Sequence, residues 1–300
     1  MFKKISYLID YFKYIQNPIN ALKFKFGISK TCNLKIKNCD HSITLHNVSS
    51  INYLMSIVPI VSNNKMKEFL EYVKEIDDDK KILTINGIHF VNTLNKDFLK
   101  NNKHDYCIHI IEFFTDDEWN MVNFSKRHVI DLGGNIGDTA LYFAKKGAEV
   151  ISFEPVQHLH ELAIKNLDIN KEYSDKITLV NKGVGGKTGT ITFDSTSVKS
   201  YADKDSDYME IISFQDLLSD YEFTPDILKM DCEGCEFEVI PNNDLTMFND
   251  IIFEHHSEIT GKDYNILIDA LKKQGFKINC YKVHSTKESF EKIGIIHAFK

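Results

Sequence analysis

Asp131, Glu154, Asp231 and Glu233, with the pair His255-His256, are the side chains best placed to grip a polar ligand or move a proton, and each follows or ends a short apolar run. The richest stretch is Val129-Ile130-Asp131-Leu132-Gly133-Gly134-Asn135-Ile136-Gly137-Asp138-Thr139. It reads as a buried strand, a glycine-rich turn and a helix start, whose free N–H groups face whatever lies above the turn. A dinucleotide fingerprint requires G-x-G-x-x-G. Counted from Gly133, its second and third glycines would fall on Asn135 and Asp138, so that pattern fails. What stands there is D-x-G-x-x-x-G, with an acid that would repel a pyrophosphate and could pair with a cation. About twenty residues on, Val150-Ile151-Ser152-Phe153-Glu154-Pro155 reads as a second strand ending in a carboxylate, which can take both hydroxyls of a ribose. Two acids in this register suit an adenosine ligand with an amino-acid tail and no phosphates, namely S-adenosylmethionine. The expected contacts are Asp131, Gly133, Asn135, Gly137, Asp138, Thr139, Glu154 and Pro155, with Lys182 and Gly183 near the adenine and Asp231 near the methionine end.

A sulfonium already carries its leaving group, so a protein handling it supplies chiefly proximity and alignment. A hydroxyl acceptor also needs a base within hydrogen-bond reach. Asp231 is the first choice for that base. Glu233 either orients substrate or is the acid favoured at a helix start, and Glu236 reads as structural. His255 could be a base or a ligand, though paired histidines at a strand end are often only polar lining. Lys229 lies inside an apolar strand and needs an acidic partner; Glu236 and Glu254 are the expected ones. No spacing signature indicates a metal.

Three blocks resemble the FkbM-type family of S-adenosylmethionine-dependent methyltransferases. They are Asp131 to Thr139, Phe153-Glu154-Pro155, and Leu228-Lys229-Met230-Asp231-Cys232-Glu233-Gly234-Cys235-Glu236, which is similar to the family's K-x-D-x-E-G-x-E signature. The likeness runs from about Ile110 to the C-terminus. Cys235 and Gly134 stand where the family often has alanine. The resemblance implies a Rossmann-like class I methyltransferase fold and O-methylation of a hydroxyl on a small molecule, glycan or lipid-linked sugar. N-methylation and cofactor binding without catalysis are the alternatives.

The elements that would hold these residues follow from periodicity. Strands at 129–132, 150–153, 177–180, 226–231 and 250–256 alternate with helices at 139–146, 158–170 and around Leu267, and 277–283 with 294–299 read as an antiparallel final pair. This α/β pattern implies a seven-stranded, mostly parallel sheet with helices on both faces and its ligand at the carboxyl edge. Thr190-Ile191-Thr192-Phe193 is expected to pair with the segment before it, and polar residues 194–210 to form a loop over the site. Glu112 is a further candidate contact. Residues 1–107 read as an accessory α+β extension and 108–300 as the cofactor-binding domain. In the extension, 34–36 and 43–45 suit one hairpin, 82–91 a second through Asn86-Gly87, and Met66, Phe69, Leu70, Val73 and Ile76 one helix stripe. The basic, aromatic helical pattern of residues 1–28 fits packing on its own domain, a second copy in a homo-oligomer, or a membrane surface.

Composition sets outer limits. The 300 residues are 43% hydrophobic and 26% charged, ordinary for a soluble globular chain, and the net charge of −7 argues against a broadly nucleic-acid-binding surface. Six cysteines are sparse, and Cys232-x-x-Cys235 lacks the second pair a zinc site needs, so reduced thiols in a cytoplasmic setting are expected.

Overall fold

The computed structural model describes residues 2–59, 61–95, 119–192, 208–220, 224–283 and 288–300. The chain divides into two compact units, Met1–Glu118 and Trp119–Lys300. The boundary expected at 107/108 lies outside the described residues, as does Glu112.

The first unit begins with helices α1 (Phe2–Tyr14) and α2 (Pro18–Lys25), separated where Pro18 occupies the first turn of α2 and cannot continue α1. Strands β1 (Cys32–Lys35) and β2 (Ser42–Leu45) pair antiparallel with Leu34 opposite Ile43, their residues alternately buried and exposed. Helices α3 (Val48–Ile57) and α4 (Met66–Asp77) follow, and α4 buries the expected stripe of Met66, Phe69, Leu70, Val73 and Ile76. At its end the buried carboxylate of Asp77 accepts the backbone N–H groups of His46 (2.7 Å) and Asn47 (2.8 Å), tying the β2–α3 junction to α4. Strands β3 (Ile82–Ile85) and β4 (Ile88–Val91) turn through Asn86 and Gly87, both at positive φ as a type I′ turn demands.

The second unit is built on β5 (His128–Leu132), α5 (Asp138–Lys145), β6 (Glu149–Phe153), α6 (Gln157–Asp168), β7 (Ile177–Val180), β8 (Gly183–Gly185), β9 (Gly189–Thr192), β10 (Tyr208–Ser213), α7 (Phe214–Asp220), β11 (Ile227–Met230), α8 (Glu236–Val239), β12 (Asp250–His256), α9 (Ser257–Thr260), α10 (Asn265–Lys273), β13 (Lys277–Tyr281) and β14 (Ile293–Phe299). Seven strands form one sheet in the order β13-β14-β12-β11-β5-β6-β7. Strands β5, β6, β7, β11 and β12 run parallel, and β14 enters antiparallel between β12 and β13. This is the Rossmann-like, mostly parallel sheet that the strand–helix alternation implies. Every residue of β11 is buried, as a strand covered on both faces requires. The order reverses between β5 and β11, which makes their carboxyl ends the topological switch point.

Two local expectations change. Strand β9 pairs with the segment after it, antiparallel to β10, and β10 also runs parallel to β8. Thr190-Ile191 is therefore one edge of a three-stranded sheet rather than half of a hairpin with the preceding residues. Residues 208–210, assigned to the loop by their polarity, belong to β10, while 193–207 lie outside the described residues.

A charge cluster clamps the sheet at the edge away from the carboxyl ends. Arg127 donates from Nε and Nη2 to both oxygens of Asp226 and from Nη2 to Asp250 (2.9 Å), and Asp250 also meets His297 Nε2 at 2.7 Å. Burial alone would raise the Asp226 and Asp250 pKa values. Hydrogen bonds outweigh it, from Arg127 and Asn249 to Asp226 and from His297 and Arg127 to Asp250, and hold both below the usual carboxylate range. Arg127→Met should lower stability by about 2 kcal/mol, less than for a fully buried pair because the guanidinium keeps some solvent contact. The urea midpoint measures this. Because both folded pKa values are depressed, the clamp's contribution is whole above the unfolded carboxylate pKa and vanishes as pH falls through the folded values, so wild type and variant should converge in acid.

Candidate active site

The centre of the sheet carries a polar row across three neighbouring strands. Lys229 on β11 is the ladder partner of Asp131 on β5, and Asp131 of Ser152 on β6, so the three side chains share one face. All are buried. Lys229 Nζ lies 2.8 Å from Asp131 Oδ1, while Ser152 Oγ (2.8 Å) and Thr139 Oγ1 (2.7 Å) donate to Asp131 Oδ2. The ammonium also donates to the Gly133 carbonyl at 2.8 Å and lies 5.6 Å from the Trp119 ring centre. Burial alone would lower its pKa, but Asp131 and Asp231 outweigh that and keep it raised and charged. The partner of Lys229 is thus Asp131, and the expected Glu236 and Glu254 are corrected. Asp131, expected to face the ligand, spends its carboxylate holding the underside of the glycine loop.

That loop is drawn against the neighbouring strands. Gly133 has φ +84°, and a Cβ there would stand 1.8 Å from the Asp231 carbonyl oxygen. The Gly133 and Gly134 N–H groups both donate to the Phe153 carbonyl, at 3.0 and 2.9 Å. A Cβ on Gly134 would stand 2.0 Å from Ser152 Oγ, so the serine that serves Asp131 denies this position even alanine. Asn135 takes a positive φ and donates its N–H to Glu154 Oε2 (2.9 Å), while Val156 donates to Oε1 (2.8 Å). Burial nevertheless pushes the Glu154 carboxyl up to about 7. Gly137 caps α5 at φ +80°, and Thr139 turns inward to Asp131. Asp138 is buried with its Oδ1 lacking a hydrogen-bond partner among the described residues, and burial raises its pKa to about 6.

The tips of β6 and β7 are joined by a residue not singled out from the sequence. Asn181 Nδ2 donates to the carbonyls of Glu154 (2.8 Å) and Pro155 (3.2 Å). An amide just past a strand end is the only signal for it, and it is a weak one. Gly183 lies against Pro155 and Ile211, whereas Lys182 points to Glu210 on β10, 4.0 Å away.

On the other side of the switch point stands an acidic group around one imidazole. His256 is buried, with Nε2 3.7 Å from Asp231 and 3.6 Å from Glu254, and Nδ1 3.6 Å from Glu236. Burial would lower its pKa, yet Glu236, Asp231 and Glu254 raise it to about 10, so it is an imidazolium at neutral pH. The Asp231 side chain is 38% exposed and is the open member of the group. Glu236 is fully buried and accepts the Cys232 N–H, as its structural reading expects. Glu233 sits at positive φ on the exposed turn between them.

His255, expected as a base, a ligand or polar lining, stands apart from this acidic group. Strand alternation sends it to the opposite face, where it stacks on Tyr264 (4.9 Å), meets Phe290 edge-on (5.1 Å) and touches Ser257. Burial drops its pKa to about 4, which leaves it neutral at pH 7. Of the thiols expected to be reduced, Cys32, Cys39 and Cys280 are free, and the pair Cys232 and Cys235 is corrected. Glu233 and Gly234, both at positive φ, fold Cys232 and Cys235 to a Cα separation of 5.5 Å, and the two are joined as a disulfide. Among the described residues no His, Cys, Asp and Glu group is arranged to hold a metal ion.

The Methyltransferase FkbM domain family matches residues 131–278. No curated protein matches the chain. Among solved structures, the chain is similar to the methyltransferase FkbM from Methylobacillus flagellatus KT, with 14% identity over 84% of this chain and 59% of that one and a TM-score of 0.42. It therefore spans about three-fifths of that protein's length. It is also similar to the precorrin-6y C5,15-methyltransferase from Geobacter metallireducens GS-15 (15% identity, 59% of this chain, 82% of that one, TM-score 0.36). A third is TrmK of M. capricolum, solved with S-adenosyl-homocysteine (12% identity, 62% and 66%, TM-score 0.38).

The contact between Gly134 and Ser152 gives a direct check of the loop. Gly134→Ala should cost about 2 kcal/mol by overpacking. Combined with Ser152→Gly, which opens the space, it should cost clearly less than the sum of the two single changes. A double-mutant cycle of thermal midpoints reads the coupling.

Proposed function

We propose, from the match of residues 131–278 to the FkbM methyltransferase domain, that the protein uses S-adenosylmethionine to methylate a hydroxyl of a small molecule, glycan or lipid-linked sugar. The loop fits that cofactor. Each Glu154 oxygen accepts one backbone N–H and keeps a lone pair for a ribose hydroxyl. The unpartnered Asp138 oxygen and the N–H groups at the start of α5 supply further polar contacts under the glycines. Pro155 and Gly183 bound the adenine end. When bound, the cofactor supplies a methyl group already activated on a sulfonium.

The chain's own work is to hold the acceptor and take its proton. The observation that carries this reading is Asp231, a partly exposed carboxylate at the end of β11 with the His256 imidazolium behind it. Asp231 accepts the hydroxyl proton as the oxygen attacks. His256, 3.6–3.7 Å from Asp231, Glu236 and Glu254, sets a positive charge among the three acids and holds Asp231 in place. Glu233, on the open turn, orients the acceptor. Asp131 and Lys229 act one layer below, by fixing the loop.

Residues 1–28 add a second surface. Ile9, Phe12, Ile19, Phe26 and Ile28 are exposed, which supports peripheral membrane contact at a cytoplasmic face. Among the described residues no helix is long and apolar enough to cross a membrane.

Calorimetry with S-adenosylmethionine tests the cofactor. Glu154→Gln should weaken binding about tenfold, the equivalent of one charge-assisted hydrogen bond. Wild-type affinity should rise as pH increases through about 7, where Glu154 ionises, while Glu154→Gln stays flat. Absence of binding to both S-adenosylmethionine and its demethylated product would end the proposal.

Asp231→Asn tests the base. Assayed with labelled cofactor and cell extract, it should lose at least about a hundredfold in methyl transfer to a hydroxyl, within the usual range for general-base loss. Turnover that survives the substitution would place the acceptor among amines, which need no base.

A further inference from the structure

The charge of this chain is split sharply. Residues 1–37 contain eight lysines and one acid, Asp10, a balance of +7 in a chain whose net charge is −7, so the remainder carries −14. Within that basic stretch one side of α2 presents Ile19, Lys23 and Phe26, at the spacing i, i+4, i+7 that lines up on a helix. Ile19 and Phe26 are 62% and 64% exposed, and Ile28 just beyond is 74% exposed, while Ala21 and Phe24 turn inward. A cavity of about 470 Å³ opens beside them, lined by Asn20, Lys23, Ser29, Thr31 and Lys35 among others, and no described lining residue is acidic.

Two ammonium groups with hydroxyl and amide donors are the chemistry that holds a phosphate monoanion. Exposed apolar side chains on the same side of α2 as Lys23, and next to Ser29, have no use for a wholly polar ligand. They match one whose charged head continues into hydrocarbon. We infer that this cavity takes the phosphate headgroup of an anionic phospholipid in a bilayer, with Ile19, Phe26 and Ile28 entering the interface around it. The inference rests on the membrane reading above and makes it specific: attraction to anionic lipid adds to apolar insertion, where neither alone holds a protein firmly. Nucleic acid shares the attraction to lysine but offers no partner for exposed isoleucines.

Flotation of the full-length protein with vesicles of phosphatidylcholine, with and without phosphatidylglycerol, tests this. Binding should require phosphatidylglycerol and fall with added salt. The double variant Lys23→Glu/Lys35→Glu should bind about tenfold more weakly, and so should Phe26→Ser/Ile28→Ser. All these side chains reach the surface, so circular dichroism and S-adenosylmethionine binding should match wild type and exclude misfolding. Equal binding to both vesicle types, unchanged by the lysine variant, would overturn the headgroup site and leave membrane contact standing. No binding to either would overturn both. Tight binding of sn-glycerol 3-phosphate or of bulk transfer RNA without vesicle binding would also overturn it, by assigning the cavity to a free phosphate ester or to RNA.

Discussion

The ion pair between Lys229 and Asp131 is the constraint on which the rest of the site depends. Two full charges in the middle of a parallel sheet are costly unless each is matched on nearly every side. Here the carboxylate takes the ammonium and two hydroxyls, and the ammonium takes a carboxylate, a carbonyl and the face of an indole. The carbonyl is the important partner, because it belongs to Gly133. A charge fixed by the sheet thereby sets the height of the loop above it, and the loop's N–H groups inherit that position. The polar row acts as foundation, and the surface above it, from Glu154 to Asp231, is what remains for a ligand.

A division of labour follows between two kinds of acid. Asp131, Glu236 and Glu254 are largely or wholly removed from water and matched within the protein, by Lys229 and His256. Glu154, itself buried, and the partly exposed Asp231 end their strands with lone pairs to spare. Asp131 lies inside the ladder, whereas Glu154 and Asp231 each stand one residue past the last ladder pair of their strands.

Much of this was legible in the residues. Short apolar runs located β5, β6, β11 and β12 and their carboxyl ends, and Asn86-Gly87 specified its turn. The failed fingerprint at Asn135 and Asp138 speaks against a pyrophosphate from the residues alone. What was not legible depended on pairing. Lys229 could be matched with Asp131 only once β11 was known to lie beside β5, which no local pattern states. The choice between His255 and His256 turned on parity, because adjacent strand residues face opposite ways and a slip of one reverses the assignment. The pairing of β9 with β10 spans residues 193–207, too far for the alternation of Thr190 to Thr192 to identify its neighbour.

The placement of β14 between β12 and β13 has a consequence for how the chain is made. Strand β13 has no neighbour in the sheet except β14, and β12 presents an open edge until β14 arrives. During translation the parallel strands can assemble around the buried charges while β13 waits unpaired in the ribosome's vicinity. The nascent sheet therefore exposes an unpaired margin on β12 until Ile293 to Phe299 have been added.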